Sequence, residues 1–251
     1  MDCLSLTRLQ RILIVPDCHW PHGDEPAWGV LLAAGRVLKP DRIIVLGDFG
    51  DFDCVSGHRK DPNRCQLLEH ELASCNARLD ELDALGARKK DFIAGNHEHR
   101  LARHLADNSP QLANLVRVER LLRLRERGWT WTPYGQLLRV GKTYYAHDPS
   151  GCGAYAHTRA SVACGHPIVF GHTHRAAVAY HGDTTGAKRV AMMAGWLGRA
   201  DAAHYVHDMR KQHDWMHAFA VGYMEPGGTT HVQLVPILRG RACINGRIVT
   251  C

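Results

Sequence analysis

The sequence predicts an α/β fold in which short buried strands alternate with amphipathic helices. Short apolar runs rich in β-branched residues end abruptly in polar residues, and they cover residues 11–15, 42–46, 92–94, 143–146, 168–170 and, more weakly, 189–193. Continuous apolar runs of this length are typical of strands that are buried on both faces. Between the second and third runs, one stripe repeats at helical spacing through Leu68, Leu72, Cys75, Leu79 and Leu82. This alternation favours a sheet that is covered by helices.

Two further helices and a closing antiparallel region complete the predicted elements. A second long helix is predicted by the stripe of Leu112, Leu115, Val118 and Leu122, and a shorter one over residues 154–164. After about residue 218 the pattern changes to strands at 219–224 and 232–238 and a hairpin around Asn245-Gly246. No internal repeat, low-complexity tract or linker interrupts the sequence. We therefore expect residues 1–251 to form one domain.

Composition excludes several classes of protein. The chain has 251 residues with 45% hydrophobic and 22% charged residues, which argues against a disordered or fibrous protein. Its net charge of +6 favours anionic partners only weakly. Nine cysteines without a C-x-x-C pair argue against a disulfide framework. There is no apolar run long enough for a membrane span and no signal-peptide pattern at the N-terminus, so we expect a cytoplasmic protein without a membrane partner.

Each of the first five predicted strands ends in residues that can ligate a metal. In strand order these are Asp17 and His19; Asp48 and Asp51; Asn96, His97 and Glu98; His147 and Asp148; and His172 and His174. Taken singly, such residues are usually helix caps, turn residues or surface histidines. Functional groups of α/β sheets collect beyond the carboxyl ends of the strands, so we expect these side chains to meet at one rim. Together they favour a metal site.

The same residues resemble the signature of the calcineurin-like metallophosphoesterases. The matching motifs, in the family's order, are Asp17-x-His19, Gly47-Asp48-x-x-Asp51, Gly95-Asn96-His97-Glu98, His147 and Gly171-His172-x-His174. Residues 52–62 and 195–249 are more loosely similar to members from bacteriophages and bacteria, so the cytoplasm would be the host's if a phage encodes the chain. The resemblance implies a four-layer α/β/β/α sandwich with a dinuclear metal site at the carboxyl ends of the strands.

The resemblance also implies a role for each motif residue. Seven residues would ligate two divalent ions: Asp17, His19 and His174 the first, Asn96, His147 and His172 the second, and Asp48 both. Manganese is the expected metal, with iron, zinc and nickel as alternatives that suit the same oxygen and imidazole ligands. A hydroxide that bridges the ions would attack phosphorus, and His97 would protonate the leaving oxygen.

Three further residues would position a ligand or contact the substrate. They are Asp51, Glu98 and Arg100, and for Asp51 a helix N-cap is an equal alternative. The sequence departs from the family at two points. Protein phosphatases of the superfamily follow the second motif with Arg-Gly, but Phe52 and Asp53 stand here, which counts against a phosphoprotein substrate. His147 is followed by Asp148 where Gly is usual; Asp148 is a surface residue, an acceptor that orients a ligand, or a third ligand.

The substrate is expected to be a phosphate ester, and we favour a phosphodiester of a nucleotide or nucleic acid. Basic residues near the motifs could contact a nucleic-acid backbone, namely Arg100 and Arg103, the loop at 58–60, and Arg117, Arg120, Arg123, Arg125 and Arg127. For the predicted second helix, a solvated face is the simpler interpretation, as it is for His204, His207, His213 and His217. Trp20, Trp28, Trp196 and Trp215 could stack a base, although core packing is commoner. The alternatives are a phosphomonoesterase for metabolites or phosphorylated ends, and a metal-binding scaffold without catalysis.

Overall fold

Two mixed β-sheets dominate the computed structural model, which describes residues 8–57, 67–202 and 214–251. The six-stranded sheet contains, in spatial order, β11 (Thr230–Pro236), β10 (Ala218–Met224), β1 (Gln10–Val15), β2 (Arg42–Val45), β3 (Lys89–Ile93) and β4 (Trp129–Thr132). Strands β1 to β4 are parallel, and β10 and β11 add to the β1 edge in antiparallel pairs. The carboxyl ends of the first three strands therefore point to the same rim.

The second sheet has five strands within the described residues. It contains, in spatial order, β5 (Leu138–Val140), β6 (Thr143–Ala146), β7 (Ile168–Phe170), β9 (Lys188–Ala194) and β8 (Ala176–Gly182). Strands β6, β7 and β9 are parallel, and β5 and β8 are antiparallel edges. A separate hairpin of β12 (Arg241–Ile244) and β13 (Arg247–Thr250) packs on the first helix.

Helices cover the outer face of each sheet, which gives four layers. They are α1 (Glu25–Leu38), α2 (Leu68–Asp83), α3 (Asn96–Asn108), α4 (Val118–Leu121) and α5 (Ala156–Cys164), with single 3₁₀ turns at Asp53–Val55, Pro110–Leu112 and Ala200–Ala202. Alternate residues of β1 show the layering: Leu13 packs among residues of α1 and α2, whereas Ile12 packs between the sheets. Phe170 of β7 packs with α5. The α/β/β/α sandwich that the resemblance implies is confirmed.

Most predicted elements lie where the sequence places them. All six apolar runs are strands, and their burial on both faces explains why they show no polar alternation. The predicted helices over 68–82 and 154–164 and the closing antiparallel strands are also present. Every cysteine in the described ranges is a free thiol, and no helix there is long and apolar enough to span a membrane.

The prediction of a second long helix over residues 112–122 is wrong. A 3₁₀ turn at Pro110–Leu112 and the four-residue α4 replace it. Only half of its apolar stripe is buried, because Leu112 and Leu115 are 41% and 68% exposed while Val118 and Leu122 lie in the core. Without a buried face a helix of this length gains too little from packing to form.

Helix α1 carried no clear periodic signal in the sequence. Its apolar residues surround the helix instead of forming one stripe, because the β12–β13 hairpin covers the side that faces away from the sheet. A helix buried on several sides is apolar all round. Its start is fixed by Asp24, whose side chain accepts a hydrogen bond from the Ala27 amide.

A buried carboxyl group on α2 holds the loop that follows β2. Glu71 is 1% exposed, and its side chain accepts hydrogen bonds from the amide of Asp53 at 3.1 Å and from the thiol of Cys54 at 3.6 Å. Burial and the negative charge of Asp51 raise the pKa of Glu71 to about 7 despite these bonds. Ionisation of Glu71 therefore opposes folding.

We expect Glu71→Gln to make stability less dependent on pH. The pKa of Glu71 is about 7 in the folded chain against a usual 4.5, so the folded state binds more protons between these values and stability is lost as the pH rises through 7. A neutral Gln avoids this loss. Between pH 5 and pH 8, the free energy of unfolding of the wild type should therefore fall by about 2–3 kcal/mol relative to that of the variant. Urea unfolding at the two pH values measures the difference. Glu69→Gln, whose side chain is 77% exposed, is the control; an equal effect of pH on wild type and Glu71→Gln would contradict the prediction.

Candidate metal centre

Side chains from the ends of β1 and β7 form the first group of candidate ligands, which consists of Asp17, His19 and His174. The Nε2 atoms of His19 and His174 lie 3.0 Å apart, and Oδ2 of Asp17 lies 3.3 Å from Nε2 of His174. All three residues are buried. Their ligand atoms lie within 4.8 Å of one another, close enough for one ion to contact all three.

The second group comes from the ends of β2, β3, β6 and β7 and consists of Asp48, Asn96, His147 and His172. Nε2 of His147 lies 2.9 Å from Oδ1 of Asn96 and 3.2 Å from Oδ2 of Asp48. Nδ1 of His172 lies 2.9 Å from the same Asn96 oxygen. The Asp48 oxygen is also 4.0 Å from Nε2 of His19 in the first group. Asp48 thus lies between the two groups.

The hydrogen bonds around His147 and His19 show that both groups fit a cation. Nδ1 of His147 donates to the carbonyl oxygen of Leu46 at 3.0 Å, and Nδ1 of His19 donates to Oδ1 of Asp51 at 3.0 Å. In the neutral rings, each Nε2 therefore carries a lone pair that is aimed at other lone pairs. A divalent ion satisfies such converging acceptors, and oxygen with imidazole nitrogen is a suitable donor set.

The pKa values of His147 and Asp48 also indicate that the second group favours a positive charge. Burial lowers the pKa of His147, but the Asp48 carboxylate outweighs it and raises the pKa to about 10. The pKa of Asp48 lies well below its usual value, because His147 and His97 outweigh the effect of burial. The second group therefore holds a proton where no metal ion is present, and a cation must compete with that proton.

Asp51 connects the first group to His97. Its Oδ1 atom accepts from Nδ1 of His19 and lies 2.9 Å from Nδ1 of His97. Burial opposes its charge, but the hydrogen bonds from His19 and His97 lower the pKa of Asp51 well below its usual value. No side-chain bond caps the 3₁₀ turn that follows. The contacts favour the ligand-orienting alternative over the helix N-cap.

Arg100 lies against His97 at the start of α3. Its guanidinium group donates to the Asp51 carbonyl oxygen at 2.9 Å and approaches Nε2 of His97 at 2.9 Å. Burial lowers the pKa of His97, but Asp48 and Asp51 outweigh burial and the Arg100 charge, so the net shift is upward. A proton donor and a fixed positive charge are therefore adjacent.

Glu98 positions the backbone under the second group. Its carboxylate accepts hydrogen bonds from the amides of Asp48, Phe49, Gly50 and Gly95 at 2.7–3.0 Å. The loop after β2 and the start of α3 are thereby fixed to each other. Glu98 is 2% exposed and engaged with backbone donors, so of its two alternatives the contacts favour positioning of Asp48.

The backbone of the site is strained. Four candidate ligands have positive φ values between 46° and 67°: His19, Asp48, His172 and His174. Such conformations are uncommon for residues other than glycine and concentrate at functional sites. The motif glycines allow close approach, because a Cβ atom on Gly95 would collide with Asp48 and one on Gly171 with Asp17.

Asp148 lies on the outer side of His172. Its Oδ2 atom is 3.7 Å from Nε2 of His172, whereas Nδ1 of the same ring faces Asn96. Its other oxygen accepts from the Gly151 amide. Within the described residues Asp148 joins none of the ligand clusters. At 3.7 Å the carboxylate forms a charge contact with His172 and not a hydrogen bond, which among the three alternatives is nearest to an acceptor beside this ring.

The remaining basic and aromatic residues lie apart from the ligands or pack beside them. Arg123 pairs with Glu126 on the solvated surface, whereas Arg127 is 13% exposed and pairs with Asp80 and Asp83. The loop at 58–60 and His204, His207 and His213 lie outside the described residues. Trp20 and Trp28 are core residues, whereas Trp196 stacks on His174 with ring centroids 4.7 Å apart and Trp215 contacts the same ring edge-on.

Sequence reasoning missed Tyr134 and His99. Their rings stack with centroids 5.2 Å apart, and the ring of Tyr134 lies 6.3 Å from that of His147. Tyr134 follows β4, an edge strand that the sequence pattern did not reveal. The alternation of Trp and Thr over residues 129–132 was the signal available for this strand.

The four layers and the two groups of candidate ligands are the arrangement that the resemblance to the calcineurin-like metallophosphoesterases implies. No family model matches the chain, and no curated protein matches its sequence. Among solved structures it is similar to Vps29 of Chaetomium thermophilum (12% identity, TM-score 0.43, 90% of this chain and 96% of that one covered). It is also similar to the phosphoesterase YfcE of E. coli (12%, 0.40, 91% and 100%) and to TT1561 of Thermus thermophilus (9%, 0.38, 90% and 98%). At such identities these likenesses concern the fold alone.

We expect Asp148→Asn to weaken one of two metal-binding steps by about tenfold, because an acceptor behind a ligating imidazole fixes its orientation and basicity. Calorimetric titration of metal-free protein with Mn²⁺ measures both steps. Asp107→Asn, an exposed carboxylate near the end of α3, is the matched control. Two steps identical to those of the wild type would show that Asp148 is a surface residue.

Proposed function

We propose that the chain is a metal-dependent phosphoesterase that hydrolyses phosphodiesters of nucleotides or nucleic acids. The observation that carries this proposal is the place of Asp48 between two groups of buried ligand atoms, 3.2 Å from Nε2 of His147 and 4.0 Å from Nε2 of His19. One carboxylate shared by two divalent ions offsets their mutual repulsion. A pair of ions beside a substrate phosphate is the arrangement of two-metal phosphoesterases.

Two divalent ions would be held by the two groups. Asp17, His19 and His174 would hold one, Asn96, His147 and His172 the other, and Asp48 both, with manganese as the favoured metal. When bound, the ions supply Lewis acidity that activates water and neutralises phosphoryl oxygens. Both sheets contribute ligands, which supports residues 1–251 acting as one domain.

His97 would deliver the proton that the leaving oxygen needs. The carboxylates of Asp48 and Asp51 outweigh burial and raise the pKa of His97, and Asp51 fixes its Nδ1 side. In the observed contact Nε2 of His97 accepts from the Arg100 guanidinium group at 2.9 Å, so a phosphate that attracts the guanidinium group would free this nitrogen to take up a proton and to face the leaving oxygen. Arg100 would thus bind substrate and free the proton donor in one movement.

A phosphomonoesterase is the second candidate, because the same ligand groups suit both reactions. The diester is favoured because Phe52 is buried at the position where protein phosphatases carry an arginine that clamps the phosphate. A scaffold without catalysis is less well supported, since His97 and Arg100 are both in place beside Asp48.

Hydrolysis by Mn²⁺-loaded protein of bis-p-nitrophenyl phosphate and of p-nitrophenyl phosphate tests the proposal. We expect faster hydrolysis of the diester. Dominant cleavage of the monoester would favour the second candidate. Binding of two ions without turnover of either ester would favour the scaffold.

We expect His97→Ala to bind metal normally and to lose about 10²–10⁴-fold in kcat on diesters whose leaving groups need a proton. The loss should be much smaller on p-nitrophenyl esters, whose leaving group departs as an anion. Steady-state kinetics with phenyl and p-nitrophenyl esters measure the contrast. Equal losses on both esters would argue against a proton-donating role. His104→Ala, an exposed histidine on the same helix, is the control.

We expect Asp48→Asn to reduce metal occupancy at both positions, because one carboxylate serves two ions. Elemental analysis after dialysis against Mn²⁺ gives the metal content per chain, and Asp107→Asn is again the control. A variant that keeps one full equivalent would show that Asp48 ligates a single ion.

A further inference from the structure

A cavity of about 340 Å³ is lined in part by Tyr134, whose ring lies 6.3 Å from that of the candidate ligand His147. It lies between the first turns of α3, residues 113–119 and the end of β4, and Ala102, Val116, Trp131 and Tyr134 are among its lining residues. Its volume falls within the range of about 300–1,000 Å³ that is usual for small-molecule sites. Neither the candidate ligands nor His97 is among the residues that line this cavity.

A stacked pair of rings separates the cavity from the candidate metal centre. Tyr134 and His99 stack with an interplanar angle of 28°, and the Tyr134 ring also approaches His147. His99 is exposed and Tyr134 is half-buried. Tyr134 thus lies both at the cavity and next to a candidate ligand of the second group.

The lining suits a flat, partly polar ring. Trp131, Val116 and Ala102 offer apolar and aromatic surface, which favours stacking. Arg117 and Glu119 also line the cavity and add a hydrogen-bond donor and an acceptor. The Glu98 carboxylate is engaged by backbone amides, so it does not place an unpaired charge in the cavity.

We propose that this cavity, which Tyr134 and His99 border, is a subsite that binds the nucleobase of the substrate. The base stacks on Tyr134, its edge is met by Arg117 or Glu119, and its phosphate lies at the candidate metal centre. This inference rests on the proposed function, since it assigns a nucleotide ester to that site. It adds residues on the segment between α3 and β4 that determine which ester is bound.

Binding of adenosine to metal-free protein tests the subsite without any catalytic step. An NMR titration with adenosine, and with ribose as the ligand that lacks a base, measures the affinity. We expect adenosine to bind and ribose not to bind. Tyr134→Ala should weaken adenosine binding by about tenfold or more, because it removes one stacking contact, whereas Tyr134→Phe should retain it.

Ala102→Phe is a second, independent variant, because an exposed helix position tolerates the new ring while the ring fills the cavity. It should also weaken adenosine binding by about tenfold. Tyr180→Ala, an aromatic side chain that is 76% exposed on β8, is the matched control and should bind as the wild type does. Thermal unfolding verifies that each variant is folded, and if Tyr134→Ala is not, Ala102→Phe decides.

Two results would overturn the subsite: adenosine binding no tighter than ribose, or adenosine binding that Ala102→Phe leaves intact. Both are separable from failure of the proposed function. A chain that binds adenosine through Tyr134 but hydrolyses no ester retains the subsite and loses the enzyme. A chain that hydrolyses diesters but does not distinguish adenosine from ribose retains the enzyme and loses the subsite.

Discussion

Lone pairs that are buried and aimed at one another are the constraint on which the site depends. Nδ1 of His147 donates to the Leu46 carbonyl oxygen, so Nε2 of the neutral ring has no hydrogen and faces the oxygens of Asp48 and Asn96. These three atoms are all acceptors, and no hydrogen bond can form among them. Such an arrangement is costly without positive charge. The raised pKa of His147 and the depressed pKa of Asp48 are two expressions of that cost. The left-handed backbone at the ligands is tolerated because the surrounding strands and glycines hold it.

The ligand rings are held in different ways. A carbonyl orients His147, the Asp51 carboxylate orients His19, and the Asp148 carboxylate lies behind His172. Nδ1 of His174 is buried and has no hydrogen-bond partner in the described part of the chain, but its ring lies flat on Trp196. Stacking on Trp196 therefore fixes the orientation of the His174 ring, as hydrogen bonds fix the rings of His147 and His19. Loss of the Trp196 ring would free the His174 ring to rotate.

The sequence predicted those parts of the molecule whose structure depends on residues close to one another in the chain. Strands buried on both faces are recognisable from short apolar runs, and the residues that follow them must reach one rim, whereas the division of the ligand residues into two groups was implied by the family resemblance. Helix α1 was not recognisable, because the distant β12–β13 hairpin buries its outer side. The roles of Asp51 and Asp148 depend on which nitrogen of His19 and His172 they approach, and spacing along a chain cannot show that.

The segment between α3 and β4 contains both the wrong helix prediction and several residues of the proposed subsite. A continuous helix over residues 112–122 would have placed Leu112 and Leu115, which are exposed, on the same face as the buried Val118 and Leu122. Instead, the 3₁₀ turn at Pro110–Leu112 and the short α4 leave Val116 and Arg117 at the wall of a cavity beside Tyr134. The metal ligands lie on the strand ends of the sandwich, whereas this cavity lies on a segment that no periodic pattern specifies. In the proposed function, chemistry and specificity are carried by different parts of the chain, and only the candidate ligands follow from motifs.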